Sequence, residues 1–182
     1  MSATPPAGPG DAPTWSPSSA TLVYGEHDTV LIDALATYAQ ADALADWVGT
    51  KGRRLSRIYI THGHGDHWLG LARLAQRFPG ATGLATAEVL ARVELGAGPA
   101  MAGYWEAIFP GEVPTGAEKV LPQLLTTDTI DLESNELQVI KIGQADTAES
   151  TIVHIPSLGA VVTGDLAYNE VHMMTSASHL QD

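Results

Sequence analysis

The chain has 182 residues, a length that suggests one domain with room for a real core. Its formal net charge is -12, from 9 Lys and Arg against 21 Asp and Glu, so it is a poor candidate for binding nucleic acid or an anionic membrane. It has no cysteine, which excludes a disulfide framework and any thiolate metal ligand, and no segment with the length and unbroken apolarity of a membrane span.

Residues 1–19 are rich in Ala, Pro, Gly and Ser, with no basic start and no apolar h-region. They read as a disordered leader rather than a signal or transit peptide, and the protein reads as cytoplasmic. Residues 21–24 and 29–32 read as a hairpin joined by Gly25-Glu26-His27-Asp28, with His27 a turn residue. Residues 38–48, dominated by Ala and Leu, predict a helix that ends near Gly49 and Gly52. The only basic cluster, Lys51, Arg53 and Arg54 with Arg57, reads as a solvated connection. Residues 55–60 then form a strand.

The next seven residues, Thr61-His62-Gly63-His64-Gly65-Asp66-His67, bring together three imidazoles and a carboxylate, the ligands that Zn²⁺ and similar cations prefer. His62 and His64 are two apart, so an extended backbone projects them to one side and they can grip one ion. Gly63 and Gly65 remove bulk and allow a sharp turn. Asp66 sits near a helix N-terminus, where a carboxylate is favoured, and with His67 it can hold a second ion beside the first.

That helix runs on with Trp68, Leu71 and Leu74 at helical spacing, to a stop at Phe78-Pro79-Gly80. A strand at 81–85 and a helix at 86–95 follow, with Thr86 as N-cap. Tyr104, Trp105, Ile108 and Phe109 also show helical spacing and read as a helix packed on the core. Residues 129–132, 137–142, 151–155 and 160–163 read as strands, with turns at 134–136 and 156–159. His154 alternates with apolar neighbours and reads as a satisfied sheet histidine. Early strand–helix alternation and a late run of strands predict an α/β sandwich of two sheets with outer helices.

The segment His62-x-His64-x-Asp66-His67 resembles the signature of the metallo-β-lactamase fold superfamily of metal-dependent hydrolases. The hairpin ending Leu31-Ile32-Asp33 and the strand ending Val162-Thr163-Gly164-Asp165 are similar to further elements of that family, so the resemblance covers residues 20–172. It implies an αβ/βα sandwich of two mixed sheets with outer helices. It also implies two zinc ions, with iron or manganese as other occupants, that lower the pKa of a shared water to give hydroxide. By resemblance His62 and His64 bind the first metal, Asp66 and His67 the second, and Asp165 bridges them. Asp66 would also orient the hydroxide and relay a proton, and Asp33 would fix a ligand's orientation. Residues 101–109 fall where the family often inserts a lid.

Two departures qualify the resemblance. Gln144 stands where the family expects a third histidine for the first metal, and its amide is a weaker, harder ligand; Asp146, two residues on, is a possible helper. Only a short tail follows Asp165, so residues 20–182 read as a domain whose second half is incomplete. His172 is a candidate pocket residue, and His179 reads as a disordered terminal residue. An apolar sheet edge left exposed would favour a homo-oligomer. Lack of cysteine points to branches with all-His/Asp/Gln sites. The expectation is a metal-dependent hydrolase of a small-molecule ester, thioester, lactone or amide, with no nucleic-acid or membrane partner. The alternatives are a degenerate, non-catalytic metal-binding fragment and an iron-dependent persulfide dioxygenase of the same fold.

Overall fold

The computed structural model describes residues 17–101 and 103–169. Strand β1 (Thr21–Tyr24) pairs antiparallel with β2 (Asp28–Ile32), as the hairpin pattern predicts. Strands β3 (Arg54–Tyr59), β4 (Thr82–Ala85) and β5 (Gln123–Leu124) then add in parallel, giving a mixed five-stranded sheet in the order β1-β2-β3-β4-β5. The two-residue β5 was not legible as a strand. Strands β6 (Thr129–Leu132), β7 (Asn135–Gly143), β8 (Ser150–Ile155) and β9 (Ala160–Val162) form a second sheet, antiparallel throughout.

The central strands are buried on both faces, which is why β2 reads as an unbroken apolar run. Leu31 and Ile58 face one way, toward α1 (Tyr38–Gly49), α3 (Leu71–Arg77) and α4 (Ala87–Ala97). Val30, Ile32 and Tyr59 face the other way, against Ile130, Leu137, Val139, Val153 and Ile155 of the second sheet. Helix α1 begins with a capping box: Gln40 N–H donates to Thr37 Oγ1 at 3.2 Å, and Thr37 N–H donates to Gln40 Oε1 at 3.0 Å. Its core face, Ala41, Leu44, Ala45 and Val48, keeps the helical spacing. Thr86 caps α4, as expected from its position.

One expected helix is two. The helix predicted from Asp66 to Phe78 is split into α2 (Gly65–Trp68) and α3. The Ala34–Leu35 loop docks at the break. Ala34 N–H donates to the His67 carbonyl at 2.8 Å, and Gly70 N–H donates to the Leu35 carbonyl at 2.8 Å. Those groups leave the helical ladder for tertiary partners, so it cannot continue.

Among the described residues, β1 and β9 are edge strands, and both line a cleft of about 640 Å³ with Leu22, Tyr24, Leu158, Val161 and Val162. Val161 on β9 and Tyr24 on β1 are exposed among the described residues. The basic cluster is spent on local contacts: Arg54 forks onto Asp28, and Arg53 donates to the Gly25 carbonyl. Among the described residues no helix is long and apolar enough to cross a membrane.

A carboxylate clamps the two sheets at the far turn. Glu133, at a left-handed φ of 58°, accepts from three consecutive backbone N–H groups of the first hairpin: Glu26 at 3.0 Å, His27 at 2.7 Å and Asp28 at 2.9 Å. These donors hold its pKa at about 2, below the ordinary 4.5. Its contribution to stability is therefore complete above the unfolded value and is lost as pH falls toward about 2. Thermal unfolding should show Glu133→Gln melting below the parent near neutral pH, with the gap closing under acid. A gap that persists unchanged into strong acid would show that the ionised clamp contributes nothing.

Candidate metal centre

The histidine loop is held at the ends of the two central strands. Asp33 follows β2 in a left-handed conformation, φ 64°, which Asp tolerates better than most residues. Its N–H donates to the Tyr59 carbonyl at 2.8 Å, joining the exits of β2 and β3. Its carboxylate then takes Thr61 N–H at 2.9 Å, the Thr61 hydroxyl at 2.9 Å and His67 Nδ1 at 2.9 Å. From the second sheet, Thr151 donates its N–H and hydroxyl to the Thr61 carbonyl at 3.0 and 2.6 Å. The loop is thus tied to both sheets.

The glycines act through space rather than through an unusual turn. Neither Gly63 nor Gly65 has a positive φ. A Cβ on Gly63 would run into the side chain of Arg92, and one on Gly65 into the indole of Trp105. Gly63 also donates its N–H to Glu149 Oε1 at 3.2 Å and accepts from Trp68 Nε1 at 3.3 Å. Helix α5 (Tyr104–Ile108) packs on the core, as expected, with Trp105 buried over the loop and parallel to the Phe109 ring.

Hydrogen bonding sets the histidine tautomers. Asp33 is acceptor-only when ionised, so it takes the single Thr61 hydroxyl proton. Thr61 Oγ1 then accepts from His62 Nδ1, 3.1 Å away, which leaves His62 Nε2 as a lone pair. The bond from His67 Nδ1 to Asp33 turns His67 Nε2 toward the cluster, where it becomes a lone pair once a metal displaces its proton. Both Nε2 atoms are buried without a hydrogen-bond partner, as are both oxygens of Asp146. Asp146 Oδ2 nonetheless lies 3.2 Å from His62 Nε2 and 2.6 Å from His64 Nδ1. One carboxylate oxygen thus meets two imidazole nitrogens at once, as side chains aimed at a common point do.

Two sets of ligand atoms each fall within 4.8 Å: His62, His64 and Asp146, and His62, His67 and Asp165. The residue common to both is His62, where the resemblance implied that Asp165 would bridge. Asp165 Oδ1 stands 3.5 Å from His67 Nε2, and its Oδ2 accepts from the Tyr168 hydroxyl at 3.0 Å. Asp66 is buried 3.8 Å from His67 Nε2 but belongs to neither set, and its Oδ2 accepts from Ser18 Oγ at 2.6 Å. Gln144, expected as a replacement ligand, is exposed, and its amide donates to the Ala145 carbonyl at 3.3 Å. Asp146 takes the place on the histidines instead, because the β7–β8 turn buries that residue and turns Gln144 outward. Its signal in the sequence was only that of a carboxylate in the right loop. Ser18 had none, since it falls in the segment read as leader. His154 is satisfied by Gln138 at 3.0 Å, and His27 is an exposed turn residue. His172 and His179 lie outside the described residues.

The cluster fits divalent cations. When ionised, Asp33, Asp66, Asp146 and Asp165 bring four negative charges to the cluster, which two divalent cations would cancel. Burying such carboxylates without a counter-charge costs several kcal/mol each, roughly. Protons serve as that counter-charge in part. Burial opposes a charge on His67, but Asp33, Asp66 and Asp165 outweigh it and raise its pKa well above 6.5. Burial likewise pushes Asp146 up, yet His62 and His64 hold its carboxyl far below the usual range; His67 and His62 do the same, more weakly, for Asp165. The carboxylates favour a cation beside them, and the Nε2 atoms of His62 and His67, which have no hydrogen-bond partner, face where a metal would sit.

Comparison with known proteins agrees with this geometry. The sequence profile of the metallo-beta-lactamase superfamily matches residues 13–180. No curated protein matches the chain. Among solved structures, the BLEG-1 B3 metallo-beta-lactamase is similar in fold, with a TM-score of 0.67 and 17% identity over 88% of this chain and 72% of that one. A metallo-beta-lactamase from Pontibacter korlensis aligns with a TM-score of 0.68 and 21% identity over 90% of this chain and 68% of that one. The DIM-1 metallo-beta-lactamase gives 0.65 and 14% over 89% and 67%. The two-sheet architecture is common to all three, and the profile runs through the histidine loop, Asp146 and Asp165 alike: the chain belongs to the metallo-beta-lactamase superfamily.

Proposed function

We propose that the protein is a metal-dependent hydrolase that cleaves an ester, thioester, lactone or amide bond of a small molecule. The observation that carries this reading is the buried His62, whose ring belongs to two ligand sets and whose Nε2 has no hydrogen-bond partner. Divalent cations, zinc foremost, would supply Lewis acidity toward a carbonyl oxygen and water acidified to a pKa of about 7.

The chain's own residues have separable tasks. His62, His64 and Asp146 would hold one cation, and His62, His67 and Asp165 the other. Asp33 keeps the Nδ1 protons of His67 and, through Thr61, of His62 pointed away from the cluster. Tyr168 engages the Asp165 oxygen that faces away from His67. Asp66, held by Ser18 beside His67, would orient the attacking water and accept its proton. The acidic surface supports a small, non-polyanionic substrate.

Metal analysis of the full chain reconstituted with zinc should find about two equivalents, and a panel of chromogenic ester, thioester, lactone and β-lactam substrates should show chelator-sensitive turnover. A folded chain that takes up no metal would sink the proposal. Asp66→Ala should lower turnover of the responsive substrate by about 10²- to 10⁴-fold. Undiminished turnover in that variant would remove Asp66 from the chemistry. Asp33→Asn should weaken zinc binding by about 10- to 100-fold in competition with a chromogenic chelator, because both ring orientations depend on its carboxylate.

A further inference from the structure

The first ligand set is completed by a carboxylate, and its placement is built rather than incidental. Asp146 is 4% exposed, with Oδ2 against His62 Nε2 at 3.2 Å and His64 Nδ1 at 2.6 Å and Oδ1 buried without a hydrogen-bond partner. The turn that carries it is locked on both sides. Ala145 N–H donates to the Thr147 carbonyl at 3.0 Å, Thr147 N–H donates to Ser150 Oγ at 3.1 Å, and Ser150 Oγ donates back to the Thr147 carbonyl at 2.9 Å. Thr151 then anchors the start of β8 to the Thr61 carbonyl. Asp146 therefore has little freedom to leave the histidines.

We propose that Asp146 sets the metal selectivity of this subsite, shifting it toward harder divalent cations of the Mn²⁺ and Fe²⁺ class and away from zinc. The inference rests on the reading that the cluster binds divalent cations. A carboxylate oxygen is harder than an imidazole nitrogen and anionic, and oxygen-rich sites suit manganese while imidazole suits zinc. Two imidazoles and one carboxylate also leave positions open around an octahedral ion, the arrangement that non-haem iron sites use. A third imidazole in place of Asp146 would add a softer, neutral donor and remove that bias. Zinc still binds more tightly than manganese in absolute terms at most nitrogen and oxygen sites, so the quantity that reports Asp146 is the ratio of the two affinities.

The test uses the full chain stripped with chelator. Mn²⁺ binding is read by loss of the free-ion paramagnetic resonance signal, and Zn²⁺ binding by competition with a chromogenic chelator. Asp146→His should weaken Mn²⁺ relative to Zn²⁺ by about tenfold or more. Asp146→Asn, nearly isosteric and therefore safe for folding, should also weaken Mn²⁺ relative to Zn²⁺, because it removes the charge. Gln144→Ala should leave both affinities at the parent's values. Melting curves in chelator establish that each variant is folded, and if Asp146→His is not, Asp146→Asn decides. A parent that binds both ions while the variants keep its affinity ratio overturns this inference alone. A parent that binds neither ion overturns it together with the hydrolase reading.

Discussion

The carboxylate of Asp33 is the interaction on which the centre depends. It gathers the backbone N–H and hydroxyl of Thr61 and the Nδ1 of His67, all near 2.9 Å, in a place that is 2% exposed. Those bonds do three things at once. They fasten the exit of β2 to the exit of β3, they fix the tautomer of His67, and they commit the Thr61 proton so that His62 must donate to Thr61. Both Nε2 atoms face the cluster because of one acceptor. The left-handed backbone at Asp33 turns its side chain across the two strands, and such strain is tolerated where surrounding bonds over-determine the conformation.

Charge explains why these side chains converge without satisfying one another. Four carboxylates within a buried or half-buried cluster are an unfavourable arrangement for a core whose purpose is stability alone. Protons on the imidazoles relieve part of it, as the raised pKa of His67 reflects. A cation would relieve it more fully, and Asp146 stands within 3.2 Å of His62 Nε2 and 2.6 Å of His64 Nδ1, close enough for all three to share one. The same buried geometry that would destabilise an ordinary core is suited to binding.

Much of the scaffold was legible because its signals are local. The hairpin, the strand entering the loop, the cap at Thr86 and the late run of strands each have periodicity or turn chemistry contained within a few residues. The helix expected to run through residues 66–78 was not, because its break comes from backbone groups of Ala34 and Leu35 that sit far away in sequence. β5 was missed for a similar reason: two residues carry no periodicity, and only pairing with β4 makes them a strand.

At the site, the ligand types and the spacing in His62-x-His64-x-Asp66-His67 determined that a cluster of metal-ligand side chains follows a strand, since an extended backbone puts alternate imidazoles on one side. That spacing could not determine which distant groups complete it. Asp146 rather than Gln144 meets the histidines because a locked turn buries one and exposes its neighbour, and a two-residue difference in a loop has no periodic signature. Ser18 reaches Asp66 across 48 positions of chain. Such partners are chosen by how two sheets pack, which is a property of the whole chain, whereas the donors themselves are a property of seven consecutive residues.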